Sequence, residues 1–322
     1  MAGRVGVVLL HRGDPESPER VREWLTARYA DPRATRSSFG GSVQGWVASL
    51  VGRIDAGAWR AKVEAIGGAS PARRQVQQLA EAVTTALVGD RVGTAGAQFE
   101  VRAGLRYDTP SIAEAVEALK AAGVERLVGV SLYPQPCRVF TPTLVSAVEL
   151  AAGGLPVTFV DRFHTQPGYL EAVRDAVQEA VARAPESTVL FGALHVERDE
   201  LGPDEPFPGA LVETMEAVMA PLSRPYKLGW LEEGGPGLSV ARMAERLQAA
   251  GTRSLVVASL GTSVDELGTL YALDAQLRAK GKALGFEQIE RAAAPCASPK
   301  LAGAVAAAVQ AHLAHQASLG FG

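Results

Sequence analysis

Short runs of Val, Leu and Ala recur along the chain between longer stretches in which apolar and polar residues alternate at helical spacing. Apolar runs without a polar face are the form of strands buried on both sides, and the amphipathic stretches between them are the helices that cover such a sheet. The pattern predicts strands near 5–10, 98–104, 126–132, 156–160, 187–192, 225–230, 254–260 and 284–289, with helices that include 18–29, 71–87, 111–121, 167–183, 238–249 and 298–315. Residues 33–66 break the alternation. They hold no run fit for a strand, and Trp46, Val47, Leu50 and Val51 fall at helical spacing, so the segment reads as an inserted helical excursion able to form a wall or lid.

One internal match bears on domain organisation. Residues 116–132 align without a gap with residues 244–260, nine of seventeen positions being identical. A duplicated half would make two similar α/β domains. Any helix, Ala-Gly turn and buried strand would look much the same, however, and eight strands with interleaved helices also suit a (β/α)8 barrel. Pattern alone leaves both architectures open.

Length and charge narrow the function. The 322 residues are about twice a typical domain of ~100–200, which favours two domains. A formal net charge of −3, with no Lys or Arg run, offers nothing for a nucleic-acid backbone to grip, so no nucleic-acid partner is expected and a small-molecule site is. Cys137 and Cys296 are too few and too far apart in sequence for a disulfide framework or a four-thiolate site, so no iron–sulfur cluster is expected. No apolar stretch reaches the ~18 residues that span a bilayer, and the run ending at Leu10 is short for a secretory leader, so a cytoplasmic location is the expectation.

The familiar chemical motifs are missing. There is no GxGxxG after a strand, no phosphate-binding loop, no HExxH and no GxSxG. Gly234-Gly235-Pro236-Gly237 reads as an ordinary turn in preference to an anion site. Of the five histidines, His312 and His315 fall near the end of the last helix, where imidazoles suit the negative end of the dipole, and His164 carries no pattern. His11 directly follows the first strand, and His195 follows the fifth by three residues. Both therefore lie where α/β sheets place ligands. His195 is followed by Glu197, Asp199, Glu200, Asp204 and Glu205, and an imidazole bordered by carboxylates suits metal ligation or proton transfer as well as a solvated loop.

Several segments together resemble the ferrochelatase family, in that family's order and approximate spacing. They are the opening GVVLLHRGDPESPERVREWL, ADP at 30–32, KVEAIGGASPARRQVQQLA at 62–80, LRYDTPSIAEAVEALKAAGVERLVGVSLYPQ at 105–135 and VDELGTLYALD at 264–274. The resemblance implies two Rossmann-like domains, 1–162 and 163–322, each a parallel sheet flanked by helices, with a porphyrin cleft between them. It further implies insertion of ferrous iron into a porphyrin, protoporphyrin IX or coproporphyrin III, during haem biosynthesis. Iron is then a substrate, no cofactor is bound permanently, and membrane contact is peripheral at most.

The resemblance also implies where the site should be, and there the chain departs from the family pattern. The family's metal-site histidine lies in a stretch resembling FSAHGLP, whereas FGALHVERD puts Leu194 at that position and His195 one residue later. The facing carboxylate belongs to a stretch resembling GFVSDHLETLxEID. In GTSVDELGTLYALD, Gly268 stands at that glutamate, with Asp265 and Glu266 just before it. Arg12 occupies a position where some members have a tyrosine near the metal, and a guanidinium repels a cation while attracting carboxylates. The family loop resembling QSRxGP is only loosely echoed by YKLGWLEEGGPG.

The expected roles follow from these positions. His195 and Glu266 substitute as the catalytic pair, with His195 as the metal ligand. His11, Arg12, Ser70 and Tyr133 contact the substrate, and Arg33 and Arg36 are further cations for the porphyrin's carboxylates. His11 and Arg12, as neighbours at a strand end, are expected to point opposite ways. Two alternatives stand beside iron insertion: a degenerate homologue that binds porphyrin or haem without inserting metal, and a different reaction on a smaller anion.

Overall fold

The computed structural model describes residues 3–32, 41–89, 98–196 and 198–320. Strands β1 (Arg4–His11), β2 (Gln98–Leu105), β3 (Arg126–Ser131) and β4 (Val157–Val160) form one parallel sheet in the order β2-β1-β3-β4. Strands β5 (Thr188–Ala193), β6 (Tyr226–Trp230), β7 (Ser254–Leu260) and β8 (Gln288–Ala292) form a second in the order β6-β5-β7-β8. Two open sheets replace the closed barrel. The inner strands β1, β3, β5 and β7 are buried along nearly their whole length, as a sheet covered on both faces requires.

The helices are α1 (Val21–Ala30), α2 (Gly41–Ala65), α3 (Ala72–Gly89), α4 (Ile112–Ala121), α5 (Thr141–Ala152), α6 (Pro167–Arg183), α7 (Phe207–Met219), α8 (Val240–Ala249), α9 (Leu267–Leu270), α10 (Arg278–Leu284) and α11 (Pro299–Ser318). A π-helical segment, Tyr271–Leu277, joins α9 to α10. Helix α3 packs with α11 and α4 with α5, and the two pairs enclose the first sheet, while α6 and α8 cover the second and α7 packs on α6. The expected division at 162/163 falls between β4 and α6. Helix α11, far beyond it, packs on α3 and on β3 and β4 of the first sheet.

The strand expected at 284–289 begins later, at Gln288. Leu284 instead ends α10, and Gly285 turns the chain left-handed at the helix cap, so the apolar Leu284 and Phe286 belong to a helix terminus. In the excursion expected over 33–66, the described part is the single long helix α2, paired with α1; residues 33–40 lie outside the described residues. Val21, Trp24, Leu25, Ala56 and Val63 of that pair form a small apolar cluster closed by Leu267 of α9, which seats the pair against the second half. No helix among the described residues is long and apolar enough to cross a membrane.

The internal match is structural. Ser111 caps α4 and Ser239 caps α8, each hydroxyl accepting the backbone N–H three residues on, from Glu114 and Arg242. Leu105 bridges to Ser111 in the first half as Trp230 does to Ser239 in the second.

Candidate functional site

The carboxyl ends of the inner strands meet between the two halves. His11 ends β1, and its ring is fully buried, stacked on Tyr133 with centroids 5.2 Å apart and planes 19° apart. The backbone N–H of Gly13 donates to His11 Nδ1 at 3.0 Å, which places the ring proton on Nε2. That proton is donated to Glu266 Oε2 at 3.1 Å. Glu266 itself is fixed where it precedes α9, its N–H donating to Thr269 Oγ1 at 3.1 Å while that hydroxyl donates back to the Glu266 carbonyl at 2.8 Å.

Arg12 completes the arrangement from the other oxygen. Its Nη2 donates to Glu266 Oε1 at 3.2 Å, its Nε donates to the Tyr133 hydroxyl at 3.0 Å, and its guanidinium lies over the rings of Tyr133 and Phe140, 5.4 and 4.9 Å from their centroids. Burial alone would raise the Glu266 pKa, but Arg12 and His11 more than reverse this and hold the carboxyl below its ordinary range. Burial opposes the charge on Arg12 as well, and there Tyr133 and Glu266 outweigh it, so its pKa rises. Asp14 goes the other way: burial, then the charge of Glu266, pushes its pKa up, although it accepts the Ser70 hydroxyl at 2.5 Å and the Leu267 N–H at 2.7 Å.

A cavity of about 130 Å³ opens beside this cluster. Arg12, Asp14, His195, Glu266 and Gly268 line it on the polar side and Trp24, Trp59, Leu194 and Leu231 on the apolar side. Trp24 and Trp59 are 5.1 Å apart, and Arg28, also in the lining, sits 5.5 and 5.7 Å from their centroids. Burial and then the nearby charge of Arg12 lower the Arg28 pKa, as expected for two guanidiniums facing one space. A side chain at position 268 would enter open space, meeting only Glu266 Oε1 at 3.7 Å.

The structure brings together His195, Glu266 and Arg12, and separates the rest of the expected set from the cavity. His11 and Tyr133 are enclosed with no exposed surface, so they position Glu266 and Arg12 and do not touch a substrate. Ser70 bonds Asp14 outside the lining, and Arg33 and Arg36 lie outside the described residues. His11 and Arg12 were expected to diverge, yet both reach Glu266, because the chain leaves β1 at His11 and Arg12 folds back over Tyr133. Among the described residues, no three His, Cys, Asp or Glu side chains converge to hold a metal ion. The glycine turn is an ordinary one: Gly235 and Gly237 lie against the Trp230 ring, and Arg198 donates to the Gly234 and Pro236 carbonyls.

Trp24, Trp59, Arg28 and Asp14 are additions. Trp59 lies in the excursion read as a wall, and Asp14 in the turn straight after β1. Arg28 carries no signal of its own, because one arginine on a polar helix looks like any other until the helix is placed.

Comparisons with known proteins bear on the family and the fold. The model of the family described as Ferrochelatase matches residues 4–313. The ferrochelatase of Geotalea uraniireducens (strain Rf4) is 27% identical over 311 residues, covering 93% of this chain and 95% of that one. That of Gloeobacter violaceus is 29% identical over 309 residues, covering 90% and 92%. Among solved structures, SirB from Bacillus subtilis with Fe3+ superposes with a TM-score of 0.53 at 9% identity, covering 95% of this chain and 94% of that one. CbiX, the terminal enzyme of sirohaem biosynthesis in denitrifying bacteria, does so at 0.52 with 15% identity, covering 96% and 98%. These two likenesses concern the fold, two parallel sheets flanked by helices. The family match spans nearly the whole chain, and the chain belongs to the ferrochelatase family, whose enzymes insert iron into porphyrin.

Proposed function

We propose that the cleft between the halves takes up protoporphyrin IX or coproporphyrin III and that ferrous iron is inserted there, with His195 and Glu266 as the working pair. The observation that carries this reading is that His195, leaving β5, and Glu266, leaving β7, line one cavity. Insertion must remove two pyrrole protons and deliver a metal to the ring centre. An imidazole can ligate a metal or accept a proton, and ionised Glu266 offers a second acceptor. Asp14, whose pKa burial and the charge of Glu266 push up, is a further carboxylate in the lining that can take up a proton. The faces of Trp24 and Trp59 suit a flat apolar ring, and Arg12 and Arg28 suit its carboxylates.

At about 130 Å³ the cavity is smaller than the ~300–1,000 Å³ of ordinary ligand sites. A macrocycle therefore enters only if the α1–α2 pair shifts. Trp24 is the partition to move, since it also walls a neighbouring cavity of about 220 Å³ that shares Asp14, and only one hydrogen bond, Nε1 to the Gly13 carbonyl at 3.2 Å, pins its ring edge.

A second reading, porphyrin or haem binding without insertion, is favoured by one observation: Arg12 already occupies an oxygen of Glu266. Purified protein incubated with ferrous iron or zinc and each porphyrin separates the two. Insertion predicts metalloporphyrin absorbance above the uncatalysed rate, reduced about 100-fold in His195→Ala or Glu266→Gln. Saturable spectral binding without turnover supports the second reading, and failure to bind any tetrapyrrole removes both.

A further inference from the structure

Both oxygens of Glu266 are engaged before any ligand arrives, Oε2 by His11 and Oε1 by Arg12. The two donors differ in kind. His11 is fully buried, its tautomer is fixed by Gly13, and its ring is stacked, so it is permanent scaffolding. Arg12 has 24% of its side chain exposed and lines the cavity, so a cation approaching Glu266 from the cavity meets a fixed positive charge first.

We propose that Arg12 is a built-in counter-ion that keeps a divalent metal off Glu266 in the ligand-free protein, and that a carboxylate of the incoming porphyrin relieves the block by drawing the guanidinium away. The release rests on the porphyrin reading above. Its geometry is economical. Nε can stay on the Tyr133 hydroxyl and the guanidinium carbon over Phe140 while Nη2 exchanges one carboxylate for another, a swap between partners of the same chemistry. Arg28 opposes Arg12 across the same space, so the pair attracts a carboxylate more strongly than either alone. The order of binding follows: the ring is seated first and the metal second.

Cobalt(II) titration of the ligand-free protein, followed by visible absorption and calorimetry, tests the block with no turnover involved. Wild type is expected to bind cobalt at least tenfold more weakly than Arg12→Gln, Arg12→Lys to exclude it as wild type does, and the double variant Arg12→Gln, Glu266→Gln to lose the gain. Arg12→Met, an unbranched apolar side chain beside the same two rings, serves as a second uncharged variant should Arg12→Gln fold poorly. Equal affinity in wild type and the uncharged variants overturns the proposal. So does a folded uncharged variant that takes up no cobalt, or a gain that survives removal of the Glu266 carboxylate. Coproporphyrin titration without metal reads the cleft separately: no binding there overturns the porphyrin reading and the release that depends on it, while the cobalt series still decides whether Arg12 blocks Glu266.

Discussion

The two halves share one architecture and finish it differently where the cleft lies. Leu10 of β1 pairs with Ser131 of β3, and Gly192 of β5 pairs with Ser259 of β7, so this register sets Arg12 against Leu194 and Tyr133 against Gly261 as corresponding positions. In the first half Arg12 reaches over Tyr133 to Glu266. In the second, Leu194 packs onto a glycine so closely that a Cβ at 261 would lie 2.7 Å from the Leu194 Cβ. The same pair of strand ends is thus bridged by a charged side chain and a phenol on one side, and by bare van der Waals contact on the other. The difference shows that the repeated sheet fixes where the chain ends meet but not what they offer to a ligand.

Changes at these paired positions break the comparison in order of severity. Gly261→Ala should cost the most, about 3 kcal/mol in urea denaturation, because it adds the overlap with Leu194 to a backbone φ of +98° that L side chains avoid. Arg12→Leu, which gives the first half the residue of the second, leaves Glu266 buried with His11 alone. The expected loss is about 2 kcal/mol, below the range for a fully buried pair because Arg12 is partly exposed. Tyr133→Phe strips the acceptor from the Arg12 N–H and Nε and should cost about 1.5 kcal/mol, with cobalt exclusion retained.

Ser111→Ala and Ser239→Ala remove the same cap from both halves and should each cost about 1 kcal/mol. A clear inequality would show that the repeat is not energetically symmetric. The smallest effect is in pH. The folded pKa of Glu266 is depressed, so the stability it contributes is present above the ordinary carboxylate value of about 4.3 and lost as pH falls through the folded value. Glu266→Gln should accordingly flatten the acid limb of a stability–pH profile.

Most of the fold was legible in the hydrophobic pattern, because inner parallel strands are apolar on both faces and announce themselves as runs, and because 116–132 and 244–260 carry the same helix end, turn and strand. The β8 error shows the limit: Leu284 and Phe286 are as apolar as a strand, and only the turn at Gly285 assigns them to a helix end. At the site, His195 was readable as a strand-end polar residue, and Glu266 and Arg12 through the family resemblance. The positions of His11 and Tyr133 were readable too, but not their burial. Whether a polar residue faces a ligand or props up its neighbour depends on who stacks on it, as Tyr133 stacks on His11, and that is a property of contacts 122 residues apart in sequence, 133 against 11.

Helix α11 has a consequence for the order in which this protein can be made. It leaves the ribosome after every other element described above, yet it covers β3 and β4 of the first sheet and packs on α3. The first half therefore waits, with one apolar flank open, until the second has been synthesised, and α11 then covers that flank as a clasp. Two copies of one motif have become a single cooperative unit, in which removing α11 should unfold the half that was translated first.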